Sequence, residues 1–206
     1  MSEPRPISSA LATLRQLARP RAADEEACDL CGATLAPAHD HLVDPAARRL
    51  RCACSACALL FDGRSTWKRV RRQVQRLDDL HLGEEAWRGL GVPVRVAFFT
   101  PSSRAGGVVA CYPGPAGAVE MPIAPRAWAQ LVDGNPVLAA LVPDVEALLV
   151  DRRPGSARGY RASIDECYRL VGLMRQHWRG FGGGAEAWRA IARFFDELDG
   201  GVACPS

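Results

Sequence analysis

"CDLCGATLAPAHDHLVDPAARRLRCACSAC" (residues 28–57) holds five of the chain's eight cysteines and two of its four histidines. The first pair, Cys28-Asp29-Leu30-Cys31, is followed by Gly32. Two residues between thiolates let the chain fold back so that both sulfurs meet one ion, and glycine suits the φ above zero that such a knuckle needs. The second pair is Cys54-Ser55-Ala56-Cys57. Together they supply four soft ligands, the number a closed structural zinc site takes. The expected ligands are therefore Cys28, Cys31, Cys54 and Cys57, and the expected cofactor is Zn2+.

Cys52 competes from the same strand face as Cys54. A C-x-x-C turn closes on one ion where C-x-C does not, so Cys52 is expected outside the ligand set. His39 and His41 are expected to face solvent or to hydrogen-bond near the site, because four thiolates already fill the shell. A filled shell leaves no position for a catalytic water. Asp40 and Asp44 lie nearby, but in no H-x-E or H-E-x-x-H pattern. The chain is expected to be no enzyme and to have no catalytic residue. Iron is the alternative metal, since paired C-x-x-C turns also suit a rubredoxin-like electron carrier. Against it, "CSACA" lacks the glycine that usually follows the second pair.

The segment between the pairs carries the local fold. "HDHLVD" and "RRLRCA" read as short strands joined by Pro45-Ala46-Ala47, and "SACALLFDG" makes two helical turns ending at Gly63. Knuckle, hairpin and a helix bearing the second pair is the treble-clef order. The helix N-terminus would also favour thiolate charge. A zinc ribbon, with the second pair on another hairpin, is the alternative.

Outward from this module, 206 residues with 48% hydrophobic and 24% charged content suit one sizeable core plus a small appended unit. No apolar run is long enough to span a bilayer, and the start has no apolar signal core. The cytoplasm is the expected compartment. Thiols stay reduced there, which favours metal over disulfides. A net charge of +3 selects no partner.

Three segments follow: an N-terminal amphipathic helix and linker (1–24), the four-cysteine metal module (25–63) and an α+β domain (64–206). Residues 64–82 read as an extended connection. Its run "RSTWKRVRRQVQR" has no acid and is read as a solvated strand face. Zinc-dependent nucleic-acid binding is the second alternative function, but no recognition-helix or aromatic-basic motif supports it. A helical turn or two at 83–91 precedes "PVRVAFFT", "GVVACYP" and "AVEMPI", an antiparallel meander punctuated by turn residues. Pro125 opens a helix that closes at Gly134, and Asn135 caps another turn. "VEALLVDRR" (145–153) fits strand and helix equally.

The C-terminus reads as a helical hairpin. Ser163 and Glu166 have capping-box spacing. Ile164, Cys167, Tyr168, Val171, Met174 and Trp178 then share one face. After "GFGGG", Trp188, Ile191, Ala192, Phe195 and Leu198 share another. Asp165 and Glu166 serve the helix N-terminus. Cys111 and Cys167 read as small core residues, and Cys204 has no assigned role. Trp178 and Arg179 stand beside more glycines than a turn needs. Such residues favour binding hot spots, so they are the expected partner contacts.

"CDLCG", "HLVDPAARRLRCACSACALLF", "PVRVAFF", "NPVLAALVPDVEALLV", "DECYRLVGLMRQHWRG" and "EAWRAIARFFDEL" resemble a bacterial family of unknown function found with gene clusters of uptake-type nickel–iron hydrogenases. The resemblance covers nearly the whole chain from residue 25 onward, and "WKRVRRQVQRL" departs from the strand expected there. It implies a role in assembly, maturation or electron handling beside a hydrogenase. The implied partner is a hydrogenase subunit or maturation factor.

Overall fold

A computed structural model describes residues 26–201 except 48, 64, 65, 115, 116 and 181. The helix expected within 1–24, and Cys204, lie outside the described residues.

Two antiparallel sheets organise the chain. β1 (Asp40–Asp44) and β2 (Arg49–Ala53) form the hairpin between the cysteine pairs, and α1 (Ser55–Phe61) follows. β3 (Lys68–Val70) adds to the free edge of β1, giving the order β2-β1-β3. This small sheet thus takes its last strand from beyond residue 63, where the sequence reading ends the module.

The second sheet has the order β4-β9-β8-β5-β6-β7. β4 (Val74–Arg76) is its short edge. β5 (Val96–Ser102), β6 (Gly107–Gly114) and β7 (Gly117–Pro122) are the expected meander. β8 (Glu146–Asp151) and β9 (Arg158–Ser163) complete it, with β8 beside β5. The undecided "EALLVD" is therefore a strand, and all of its residues are buried. Alternation is lost there because both sheet faces are covered, as in any fully buried strand.

The two faces separate cleanly along β5 and β8. Phe98 and Leu149 point to one core, with α4 (Ile164–His177) and α5 (Gly184–Gly201) packed over it. Phe99 and Leu148 point to the other core. There α2 (Glu84–Gly89), α3 (Pro125–Gly134) and a 3-10 turn (Pro136–Ala140) supply Trp87, Leu131 and Leu138. The protein is thus α+β, with a cysteine module, an antiparallel meander and a C-terminal helical hairpin.

Several local expectations meet different partners. Ser163 makes no side-chain cap bond to α4. Its Oγ instead accepts the Gln73 N–H at 3.2 Å, tying β9 to the segment before β4. Asn135 makes no cap bond either. Its amide grips the His81 backbone in both directions and donates to Leu131 O.

The basic run is solvated in part, with Arg71, Arg72 and Arg76 exposed, but its charges are largely paired. Lys68 pairs with Asp144 at 2.7 Å, Arg69 with Asp40 at 2.8 Å, Arg72 with Glu166 at 2.8 Å and Arg76 with Asp199 at 2.8 Å. A run without acids finds them on four other segments: Lys68, Arg72 and Arg76 reach the loop before β8, α4 and α5, and Arg69 reaches β1 within the small sheet. Asp165 and Glu166 are buried and do more than sit at a helix end. Glu166 also receives Arg169, and Asp165 meets His41. Val43 and Val70 carry the small sheet into the main core, while Leu42, Ala53, Ala58 and Cys28 form its private one.

Candidate metal centre

The knuckle is built by the backbone. The Gly32 N–H donates to Cys28 O and the Cys28 N–H to Ala33 O, both at 2.8 Å. Gly32 has φ of 76°, the left-handed value that glycine adopts without a Cβ penalty. The knuckle is then locked to β2. Asp29 N–H donates to Cys52 O at 2.8 Å, and Cys52 N–H returns to Asp29 Oδ2 at 2.9 Å. Cys54 occupies the N-cap of α1 and Cys57 its first turn. The second pair therefore opens a helix and not a hairpin, which is the treble-clef order.

The sulfurs of Cys28, Cys31, Cys54 and Cys57 all lie within 4.8 Å of one another. Those of Cys31 and Cys54 are 3.7 Å apart. Zn–S bonds of about 2.3 Å set tetrahedral sulfurs about 3.8 Å apart. The four thiols thus have the spacing and donor chemistry of a closed tetrahedral site. Burial opposes ionisation of Cys28, but the backbone N–H groups of Cys54, Cys31 and Leu30 outweigh it and bring that thiol down to about 6. Cys57 is pushed up to about 12, by desolvation and by its hydrogen bonds to the other three sulfurs. One thiolate forms readily, and the last is opposed by its neighbours. A dication among them removes that opposition, so metal uptake would release protons.

Cys52 stands outside this group. It pairs across the hairpin with His41 and lies with His39 and His41 in a second cluster. From the sequence, Cys52 is expected outside the ligand set and the two histidines are expected to face solvent or hydrogen-bond near it; both histidines do hydrogen-bond. The signal for the cluster was available in His39-x-His41, whose two-residue spacing puts both rings on one side of an extended segment.

Trp178 and Arg179 lie at the hairpin turn. Trp178 is half-buried against Trp188, with ring centroids 5.6 Å apart. Its indole N–H donates to Gly180 O at 3.0 Å. Arg179 is exposed, and its backbone N–H donates to Gly183 O. The glycines have local work. Gly180, Gly183 and Gly184 all have positive φ, and a Cβ on Gly183 would meet the Trp178 ring at 3.0 Å. Gly183→Ala should therefore cost roughly 2 kcal/mol in urea unfolding. Gly184→Ala, with its nearest atom at 4.0 Å, should cost less because only its φ is strained. Equal costs would remove the ring contact from the account.

Fold and site together define an α+β protein with a treble-clef-like four-cysteine module able to hold a metal ion. The chain belongs to a family of unknown function, DUF5947, whose family model matches residues 27–201. No curated protein and no solved structure matches it. Among the described residues, no helix is long and apolar enough to cross a membrane.

Proposed function

We propose that the protein is a zinc-structured, non-enzymatic accessory factor that works by binding another protein. The observation that carries this reading is the four-thiol cluster, which has the donor number of a filled tetrahedral shell. Cys28, Cys31, Cys54 and Cys57 would hold Zn2+, which here supplies cross-linking and no Lewis-acid chemistry. What the ion fixes is a surface. On the short helix it anchors, Leu59 and Leu60 are 64% and 53% exposed. Exposed apolar side chains on a rigid element suit a protein partner. The pairing of Lys68, Arg69, Arg72 and Arg76 with carboxylates supports a protein over a nucleic-acid partner. The cytoplasm remains the proposed compartment. A nickel–iron hydrogenase subunit or maturation factor is the proposed partner, on the resemblance of the segments quoted above.

Two measurements test this reading. Protein purified from its native host should be colourless, carry zinc in its four-cysteine site and show no reversible one-electron couple. A red, redox-active protein would instead make it a rubredoxin-like carrier. Immobilised protein should capture hydrogenase-cluster proteins from native lysate, and Arg179→Ala or Leu59→Asp should weaken that capture without lowering the melting temperature. Capture unchanged by both variants would remove these contacts from the reading.

A further inference from the structure

We propose that His39, His41 and Cys52 form a second metal site beside the four-cysteine centre, one that takes a borderline dication such as Zn2+ and keeps a coordination position open. One ring nitrogen from each histidine and the Cys52 sulfur all lie within 4.8 Å of one another. Bonds of about 2.0–2.1 Å to nitrogen and 2.3 Å to sulfur set such donors about 3.3–3.6 Å apart. Metal binding would have to draw the three donors closer together.

The hairpin register makes the cluster. His41 is the direct cross-strand partner of Cys52, and His39 sits two residues earlier. The two rings meet edge to face with centroids 4.8 Å apart. Each ring is held by its Nδ1. In His39 that atom is 3.0 Å from Ala36 O, which accepts only from an N–H, so Nδ1 carries the proton. In His41 it is 3.0 Å from Asp165 Oδ2. A ligand histidine commonly has this support: a carbonyl or carboxylate on one nitrogen, leaving Nε2 with a lone pair for the metal.

An independent observation points to a ligand. The His39 side chain is 8% exposed. Its Nε2 is buried and has no hydrogen-bond partner among the described residues. A buried imidazole acceptor left without a donor costs free energy, and a bound cation satisfies it. The surrounding charge agrees. Glu26 Oε2 lies 3.5 Å from His39 Nδ1, Asp165 backs His41, and Asp29 accepts the Cys52 N–H. Two imidazoles and one thiol select a borderline ion over a hard one, which prefers oxygen ligands.

Among the described residues the cluster offers three donors and no fourth. Three protein ligands with a vacant fourth position suit exchange with water, a small molecule or a donor from a partner protein. The neighbouring four-cysteine site has no such position. The second site is thus an addition to the proposed function and stands or falls separately from it.

The test is a metal count on the reduced, metal-stripped full chain, with Co2+ and Zn2+ as probes. Wild type should take up two equivalents. His39→Gln, His41→Gln and Cys52→Ser should each retain one, with an unchanged far-UV circular dichroism spectrum and an all-thiolate Co2+ absorption spectrum. Imidazole, added as an exogenous ligand, should shift the Co2+ d–d bands of wild type and leave those three variants unaffected. One equivalent in wild type, or two in folded Cys52→Ser and His39→Gln, overturns the second site. Bands unmoved by imidazole overturn the open position. Failure of the four-cysteine reading looks different: Cys31→Ser would then keep the full wild-type count.

Discussion

Cys28→Ser, Cys31→Ser, Cys54→Ser and Cys57→Ser should each abolish stoichiometric metal at the four-cysteine centre and melt the local structure around it. The private core of the module is Leu42, Ala53, Ala58 and Cys28. So few buried side chains do not hold a fold unaided. Structural zinc contributes about 10–16 kcal/mol of apparent binding free energy at neutral pH, nearly all of it coupled to folding. Losing one thiolate opens the shell to water and removes much of that coupling. The damage should have a boundary, because Val43 and Val70 anchor β1 and β3 in the main core. Amide exchange should therefore rise sharply over the knuckle at 27–36 and over α1, and much less over β5 and β8. Cys52→Ser should keep the ion of the four-cysteine centre. A four-cysteine variant that keeps its metal while Cys52→Ser loses that ion would reverse the ligand assignment.

Much of this architecture was legible because local signals and tertiary demands agree. The C-x-x-C spacing, Gly32 and the "SACALLF" helix are short-range features, and they bring four sulfurs together. The meander was legible for the same reason, with turn residues bounding apolar runs. What was not legible depends on contacts far apart in sequence. "ALLV" in β8 is apolar throughout because helices cover both faces of the sheet, so periodicity had nothing to report. The pairing of the basic run was not legible because its acids lie at Asp40, Asp144, Glu166 and Asp199. Ser163 has the spacing of a capping box, yet β9 needs its hydroxyl for the Gln73 N–H. Tertiary competition decided there, and no local pattern records it. The histidines are an intermediate case. Their spacing was visible, but the register that sets His41 against Cys52 comes only with the folded hairpin.

Asp151→Ala should be among the most destabilising single changes outside the metal module, at about 3 kcal/mol in urea unfolding at neutral pH. The Asp151 side chain is 0% exposed and sits at the end of β8. Its Oδ1 accepts from the Arg153 backbone and Nε, at 3.1 and 2.8 Å. Its Oδ2 accepts from Arg153 Nη2 at 2.7 Å and from Ser156 Oγ at 2.8 Å. Arg158 approaches the same oxygen at 3.4 Å. Both arginines lean on the Phe195 ring, so the carboxylate also holds α5 against the sheet through them. Removing it leaves two partly buried guanidinium groups short of a counter-charge, and that penalty exceeds the loss of any one hydrogen bond. The effect should depend on pH in a defined direction. Burial pushes the Asp151 carboxyl up, but Arg153 and Ser156 outweigh it and hold the group below its ordinary value of 3.8. A carboxylate depressed in the folded state stabilises fully above its unfolded value and loses that contribution as pH falls through the folded value. The gap between wild type and Asp151→Ala should thus be constant from neutral pH down to about 4 and then close in stronger acid. Asp151→Asn, which keeps the shape and loses the charge, should show a smaller gap with the same acid limb. A gap that persists undiminished in strong acid would make Asp151 a packing residue rather than the charged clasp between β8 and α5.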